Sequence, residues 1–366
     1  MIAVWFVFLT LVTGICLWSQ LKTDMHGRLI VDKNANKFIA GIACLLLILI
    51  SGLRSLEGIG DTETYVGVFH NIPKDYETFK TIINYDGEWG FEWLQFIIKK
   101  ITENPQYYLM IMSVLILIPI FYMFFKYSDS LAFAVFVFIT GGNFLVTMNG
   151  MRQYLVSSLL FVTFPLIYKK KWWIYFPIVL LLSTIHKSCL IFLLVYFIAD
   201  KRAWGVTSKI LIAGGMILYF VKPLSQRISL WLLEGSQYEV YGKGIQAGSN
   251  GSNIFRSLIY LVPIVLAYFY HRRIKEEHKY YNIVFNISLL NCIFSFLSNS
   301  VSWIFARFNI YFSLYSILLL CWGIRSIPNK NRERSLVYFM AYTLYFIFYF
   351  YEMVVVLGQT YRSSYF

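Results

Sequence analysis

Apolar residues run along the chain in blocks long enough to be membrane helices, separated by short polar stretches, and the rhythm continues almost to the last residue. Crossing roughly 30 Å of hydrocarbon takes about 17 to 25 mostly apolar residues in a helix. Such blocks fall at 2–20, 38–53, 106–125, 131–149, 152–168, 206–222, 255–271, 280–299, 303–324 and 335–357, with shorter ones at 172–185 and 188–199. The short pair predicts half-helices or one broken hairpin. Lipid offers no partner to a backbone N–H or C=O, so spanning segments of this kind must satisfy their own hydrogen bonds as helices. The pattern predicts an all-α, polytopic integral membrane helical bundle of about 11–12 transmembrane or half-membrane helices, a single domain over 1–366.

Two polar stretches exceed simple turns, 54–105 and 223–254. Within the first, "GFEWLQFIIKKI" from Gly90 to Ile101 carries apolar residues at helical spacing, Trp93 and Phe96 among them, and is too short to span. It predicts a helix lying in the interface plane. The N-terminal block lacks a basic leader and a small-residue cleavage site, so it reads as a first span and not a removed signal peptide.

Composition and charge sharpen this picture. Hydrophobic residues make up 58% of the chain and charged residues 14%, against about a quarter charged in a soluble domain. The formal charge of +13 is carried in short runs between apolar blocks. That distribution marks membrane orientation or contact with anionic lipid, and it speaks against nucleic acid as a partner. With the N-terminus outside, "LKTDMHGRLIVDKNANK", "KYSD", "KKK", "DKRAW", "HRRIKEEHK" and "RSIPNKNRER" become the cytoplasmic loops, as the positive-inside rule expects. The external segments are then 54–105, the junctions near 150, 187 and 301, and 223–254. The first holds nine acids against five bases. Cys16, Cys44, Cys189, Cys292 and Cys321 all sit in apolar blocks without close pairing and read as packing residues.

On this topology a small set of polar residues gathers toward the outer side. In "GLRSLEGIGDTETY", Arg54 ends the second span and Asp61 and Glu63 follow a glycine-punctuated turn, while Glu88 and Glu92 flank the interfacial helix. Asn149, Arg152 and Gln153 in "MNGMRQY" have the spacing of one helix face at the start of a span. His186 and Lys187 sit at the tip between the two short blocks, and Arg307 lies within "WIFARFNIYF", with Tyr311 one turn further on. A helix-end arginine such as Arg54 also fits simple snorkelling to headgroup phosphate. Arginine well inside a span costs about 2.5 to 3.5 kcal/mol, so Arg152 and Arg307 are predicted to face a polar cavity or an anionic ligand. A lone histidine is often just a satisfied polar residue, but His186 falls at a predicted helix break. Asp61, Glu63 and Glu88 make no compact cation motif, and no metal or other cofactor is expected. Trp and Tyr residues near 89–93 and 303 suit either an interface belt or the stacking of sugar rings.

Clustered arginines pair bidentately with phosphate oxygens, and a nearby carboxylate or imidazole supplies a base for a hydroxyl nucleophile. Together they would let a sugar hydroxyl displace a lipid-linked pyrophosphate.

"GLR", "GIGDTETY", "EWGFEWL", "NGMRQYLVSSLLF", "IHKSCLIF" and "RFNIYF", in that order, resemble the EpsG family of Wzy-type polysaccharide polymerases. The resemblance covers roughly 40–315. It departs from the family's pattern at Met151, where a small residue is usual, and at Lys187; neither departure removes a charged position. It implies a metal-independent enzyme of the bacterial cytoplasmic (inner) membrane with its active site on the outer face. Its donor and acceptor would be undecaprenyl-pyrophosphate-linked oligosaccharides, its product O-antigen, capsule or exopolysaccharide, and a chain-length co-polymerase a candidate partner. The resemblance would give Arg54, Arg152 and Arg307 to pyrophosphate, with Asn149, Gln153 and Tyr311 lining the substrate. Asp61 and His186 would be candidate bases, with Glu63 and Glu88 in reserve. Other classes stay open: a flippase for the same lipid-linked unit, for which no inverted repeat is visible, an O-antigen ligase, which the 223–254 loop keeps in play, and a sugar O-acyltransferase.

Overall fold

The computed structural model describes the chain except residues 1, 24–28, 33, 58, 234–251, 301–304, 329–332, 359–360, 364 and 366. The structure is all-α apart from one small ribbon. Its helices are α1 (Ile2–Gln20), α2 (Lys37–Gly52), α3 (Thr62–Asn71), α4 (Tyr76–Ile82), α5 (Trp89–Ile101), α6 (Pro105–Tyr127), α7 (Leu131–Thr140), α8 (Asn143–Asn149), α9 (Met151–Tyr168) and α10 (Trp172–Ser183). A 3-10 turn at Lys187–Leu190 leads into α11 (Ile191–Ala199). Then come α12 (Val206–Phe220), α13 (Lys222–Leu233), α14 (Ile254–Glu277), α15 (Tyr281–Ser300), α16 (Ala306–Arg325) and α17 (Glu333–Tyr349), which continues as a π-helix at Phe350–Val356. Strands β1 (Leu21–Thr23) and β2 (Leu29–Val31) pair antiparallel within what the sequence offers only as a basic loop.

Among the described residues, five helices are long and apolar enough to cross a membrane, and two sharply bent pairs would each make one more span. Four shorter apolar helices stand beside them, including Trp172–Ser183 and Lys187–Ala199, the predicted short pair. The chain is therefore a multi-pass membrane protein.

Helix starts follow local chemistry. The Asn36 side chain accepts the Phe38 and Ile39 N–H groups at the start of α2, and Asp75 accepts the Thr78 N–H at the start of α4. Asn104 caps α6, with Pro105 in the first turn where a missing N–H costs nothing. Ser130 caps α7.

Two sequence expectations need correction here. The block 131–149 is not one continuous helix: it breaks at Gly141–Gly142 and bends by 56° between α7 and α8. Gly142 has φ +81°, a conformation costly for other residues, and an added Cβ there would lie 2.0 Å from Met353 Cε. Likewise Asn149 and Arg152 do not share one helix face. Gly150, at φ −97° and ψ 51°, ends α8 and precedes α9, so Asn149 belongs to one helix and Arg152 with Gln153 to the next.

The chain divides into two compact units, Met1–Leu193 with Ile327–Phe366, and Leu194–Ser326. In the first, α6 packs on α2 and α9, and α1 packs on α2 and α7. Every residue of α7 is buried. Lipid gives helices little hydrophobic reason to associate, so close packing and cross-helix hydrogen bonds carry the fold. The Ser51 and Ser113 hydroxyls meet at 2.8 Å across α2 and α6. In the second unit α14, α15 and α16 pack together and α12 lies on α15. There Asn291 donates to Ser316 at 3.0 Å, and Asn286 accepts from Ser208 while donating to the Ala199 and Lys201 carbonyls.

The 54–105 segment is itself folded. Phe79 and Phe96 stack at 4.3 Å, and with Ile72 and Ile83 they form a small core under Trp89 and Trp93 that joins α4 to α5. The apolar face of the predicted interfacial helix is thus largely spent on protein: Phe91, Phe96 and Ile98 are buried, while Ile97 and Ile101 stay exposed. Of the second long polar stretch, 222–233 is helix α13, and 234–251 lie outside the described residues.

Candidate functional site

Glu88 is the residue on which the site is built. It stands immediately before α5, 8% exposed, and its carboxylate meets three groups from two other segments. Oε2 accepts from Arg152 Nη1 at 2.8 Å, Oε1 accepts the Lys187 backbone N–H at 2.9 Å, and His186 Nδ1 lies 2.7 Å from Oε1. Burial pushes the Glu88 pKa up, but the His186 contact, the Arg152 charge and the Lys187 N–H more than offset it, and the net shift is below the ordinary carboxylate value. Glu88 is therefore an ionised, almost dry carboxylate at neutral pH.

Close backbone approach brings these segments together. The Gly90 N–H donates to the Thr184 carbonyl at 2.9 Å, and a Cβ on Gly90 would sit 2.0 Å from Thr184 Oγ1. Only a residue without a side chain lets α5 start against the α10 exit, where the chain turns through His186. Lys187 Nζ then reaches the Asp86 carbonyl on the near side of Glu88. The ion pair leaves the Arg152 side chain 33% exposed, and its guanidinium lies 5.7 Å over the Phe91 ring. His186 is 3% exposed.

Asp61 is held from behind. Gly60 has φ +55°, and the Asp61 N–H donates to Asn149 Oδ1 at 2.9 Å. A Cβ on Gly60 would lie 2.1 Å from that same oxygen. The Asp61 carboxylate makes no cap bond to α3; it and Glu63 are exposed, and neither is paired among the described residues. Gly58, the other glycine of the turn, lies outside the described residues.

Arg54 is placed differently from expectation. It is 1% exposed, with Nε donating to Thr62 Oγ1 at 3.1 Å, Nη1 to the Ser51 carbonyl, and Nη2 to the Met148 carbonyl at 3.4 Å and Met151 Sδ at 3.1 Å. Burial lowers its pKa to about 10, so it stays charged at neutral pH. Its donors tie the end of α2 to the starts of α3 and α9, which leaves little capacity for an external phosphate. The cause is local: α2 ends at Gly52, and its orphan Ser51 carbonyl takes one donor.

Gln153 is buried in α9. Arg307 and Tyr311 belong to the second unit. Arg307 is the second residue of α16, half-buried in its first turn and not deep inside a span, and Tyr311 is fully buried. Trp303 lies outside the described residues. Among the described residues no group of three or more His, Cys, Asp or Glu is arranged to hold a metal ion, so Asp61, Glu63 and Glu88 do not form one.

Of the sequence-predicted residues, the structure brings Glu88, His186 and Arg152 into one cluster, sets Asp61 on Asn149, and puts Arg54 behind both. Sequence reasoning missed the tail. Ser55 N–H donates to the Arg362 carbonyl at 2.7 Å, Ser363 Oγ to the Leu53 carbonyl at 2.8 Å, and Tyr361 OH to the Ile50 carbonyl at 2.9 Å. It also missed Glu352, buried in the π-helix after α17, and Lys99, buried with its ammonium on the Phe69 and His70 carbonyls. Glu352, an acid in an apolar block, was the one readable signal among these.

A protein-family model described as the EpsG family matches residues 37–365. No curated protein and no solved structure matches the chain.

Proposed function

The chain belongs to the EpsG family, whose members are in general polysaccharide polymerases, and on that premise we propose that it joins undecaprenyl-pyrophosphate-linked oligosaccharide repeat units at the outer face of the bacterial cytoplasmic membrane. The observation that carries this reading is the Glu88–His186–Arg152 cluster: an imidazole 2.7 Å from, and a part-exposed guanidinium paired with, one buried carboxylate.

In this reaction an acceptor sugar hydroxyl attacks the anomeric carbon of the donor glycan. The new C–O bond forms as the bond from that carbon to the pyrophosphate oxygen breaks, and the lipid pyrophosphate leaves with the bonding electrons. His186 takes the hydroxyl proton. His186 Nδ1 lies 2.7 Å from Glu88 Oε1; a tautomer protonated at Nδ1 leaves the lone pair on Nε2, and the Glu88 charge beside the ring stabilises the imidazolium that results. Arg152 meets the charge growing on the leaving pyrophosphate. Asp61, exposed on its Asn149-anchored turn, is the alternative base, and Glu63 stands beside it. Gln153, buried in α9 one residue on, supports Arg152 from within the helix. Arg54 acts by holding the walls together.

The test is complementation of a polymerase-deficient strain with single variants, read as lipopolysaccharide or capsule ladders. A positioned base contributes about 10²–10⁴-fold, so His186→Ala should abolish long chains, and Arg152→Ala should leave single lipid-linked units on the outer leaflet. Normal ladders from both variants would sink the assignment, and units trapped on the inner leaflet would indicate a flippase instead.

A further inference from the structure

The turn that delivers Glu88 also carries an outward aromatic pair, for which the cluster itself has no use. Tyr85 is 57% exposed, its ring centroid 5.9 Å from that of half-buried Trp89 at an interplanar angle of 55°. A single exposed aromatic is ordinary. This one is mounted on a braced turn. Asn84 Oδ1 accepts the Asp86 N–H at 3.0 Å, the Asn84 carbonyl accepts the Gly87 N–H at 3.0 Å, and the Asn84 N–H donates to Glu92 Oε2 at 3.4 Å. On the far side Lys187 Nζ holds the Asp86 carbonyl. The α5 helix and the His186 segment thus fix one turn from two directions, and the turn presents Tyr85 and the exposed Asp86 beside Glu88.

From this geometry we infer that Tyr85 and Trp89, with Asp86, form a stacking platform for a neutral pyranose ring of the acceptor oligosaccharide, next to the Glu88–His186 pair. The inference rests on the polymerase reading of that site. A sugar ring presents a face of polarised C–H groups that packs on the negative face of an aromatic ring, while its rim of hydroxyls seeks acceptors. Tyr85 offers the face and Asp86 the acceptor. A carboxylate beside the rings accepts hydroxyl hydrogens, so the platform suits the sugar end of the acceptor, while Arg152 suits the phosphorylated end of the donor. Rigid mounting matters because a preorganised ring loses little freedom on binding.

The experiment uses the full chain in nanodiscs with lipid-linked repeat units as donor and a soluble repeat-unit oligosaccharide as acceptor. Tyr85→Ala should raise the acceptor KM about tenfold, the size of one lost aromatic contact, with kcat and donor KM near wild type. Tyr85→Phe and Tyr85→Trp should restore the affinity, because each keeps a π-face. An unchanged acceptor KM in Tyr85→Ala overturns the platform and leaves the polymerase reading standing. So does loss in Tyr85→Phe, which would mark the hydroxyl as a headgroup anchor in an interface belt. Should Tyr85→Ala fail to fold, Tyr85→Leu, which keeps apolar bulk without a π-face, should show the same rise in KM; wild-type affinity there overturns the proposal. If the wild type elongates nothing, the polymerase reading fails by itself. Saturation-transfer NMR of the free oligosaccharide with wild type and Tyr85→Ala then still decides the platform, equal transfer counting against it.

Discussion

Glu88 carries a cost that its partners must offset. Burial alone pushes this carboxyl toward its protonated form, and the His186, Arg152 and Lys187 contacts reverse that direction. Its pKa is held below the ordinary 4.5, so the folded state favours the ionised form more than the unfolded chain does. The sign follows from linkage: the stabilisation is complete above about 4.5 and is lost as pH falls through the lower folded value. Glu88→Gln should remove that acid-side slope and lower the neutral-pH thermal midpoint, since Arg152 loses its counter-charge. Thermal unfolding of detergent-solubilised protein between pH 3 and 7 checks this, and parallel wild-type and variant curves would show that Glu88 is not the linked group. The same balance explains what was legible in the sequence at this scale. Glu88, His186 and Arg152 were visible as unusual residues at loop tips and helix starts, but their mutual contact was not, because it depends on Gly90 passing within a hydrogen bond of Thr184. Arg54 looked like a headgroup ligand because a sequence shows a charge at a helix end and not the carbonyls that surround it.

At the scale of elements, hydropathy found the long apolar helices and the break before His186, and missed the one at Gly141–Gly142. The stretch 131–149 is apolar enough to read as one span, and the glycine pair inside it was the only signal of the bend. What fixes the break is tertiary: Met353, from the π-helix after α17, occupies the space where a side chain on Gly142 would stand. Two separable terms therefore oppose Gly142→Ala. The left-handed conformation costs about 1–2 kcal/mol for a residue with a Cβ, and the Met353 side chain must also move. Methionine is adaptable, so the second term should be the smaller. Gly142→Ala is expected to lower stability by about 1–3 kcal/mol, and adding Met353→Ala should recover only part of it relative to Met353→Ala alone. A thermal-melt double-mutant cycle measures both. Full recovery would place the whole cost in the clash and none in the backbone.

The two sequence segments of the first unit are tied together at the exit of α2. The tail residues Tyr361–Ser363 lie beside the exit of α2, more than three hundred residues earlier in the chain, and they satisfy the Ile50 and Leu53 carbonyls and the Ser55 N–H around buried Arg54. No local pattern announces such a pairing, since "TYRSSYF" has neither hydropathy nor periodicity to mark it. The physical need was nonetheless present: a helix end at membrane depth leaves carbonyls that must find partners in protein. Each satisfied group contributes about 0.5–1.5 kcal/mol, and the loss is larger if the group is left dry and unpaired. Truncation after Gly358 should therefore lower the thermal midpoint and, by loosening Arg54 against Thr62 and Met148, weaken chain elongation as well. Removing only 364–366 should leave both near wild type, because the three bonds survive. Ladder assays and melts on the two truncations separate a structural strap from a dispensable tail. If the longer deletion melts and polymerises like wild type, Arg54 is held by its own donors alone and the closure of the unit by its C-terminus is incidental.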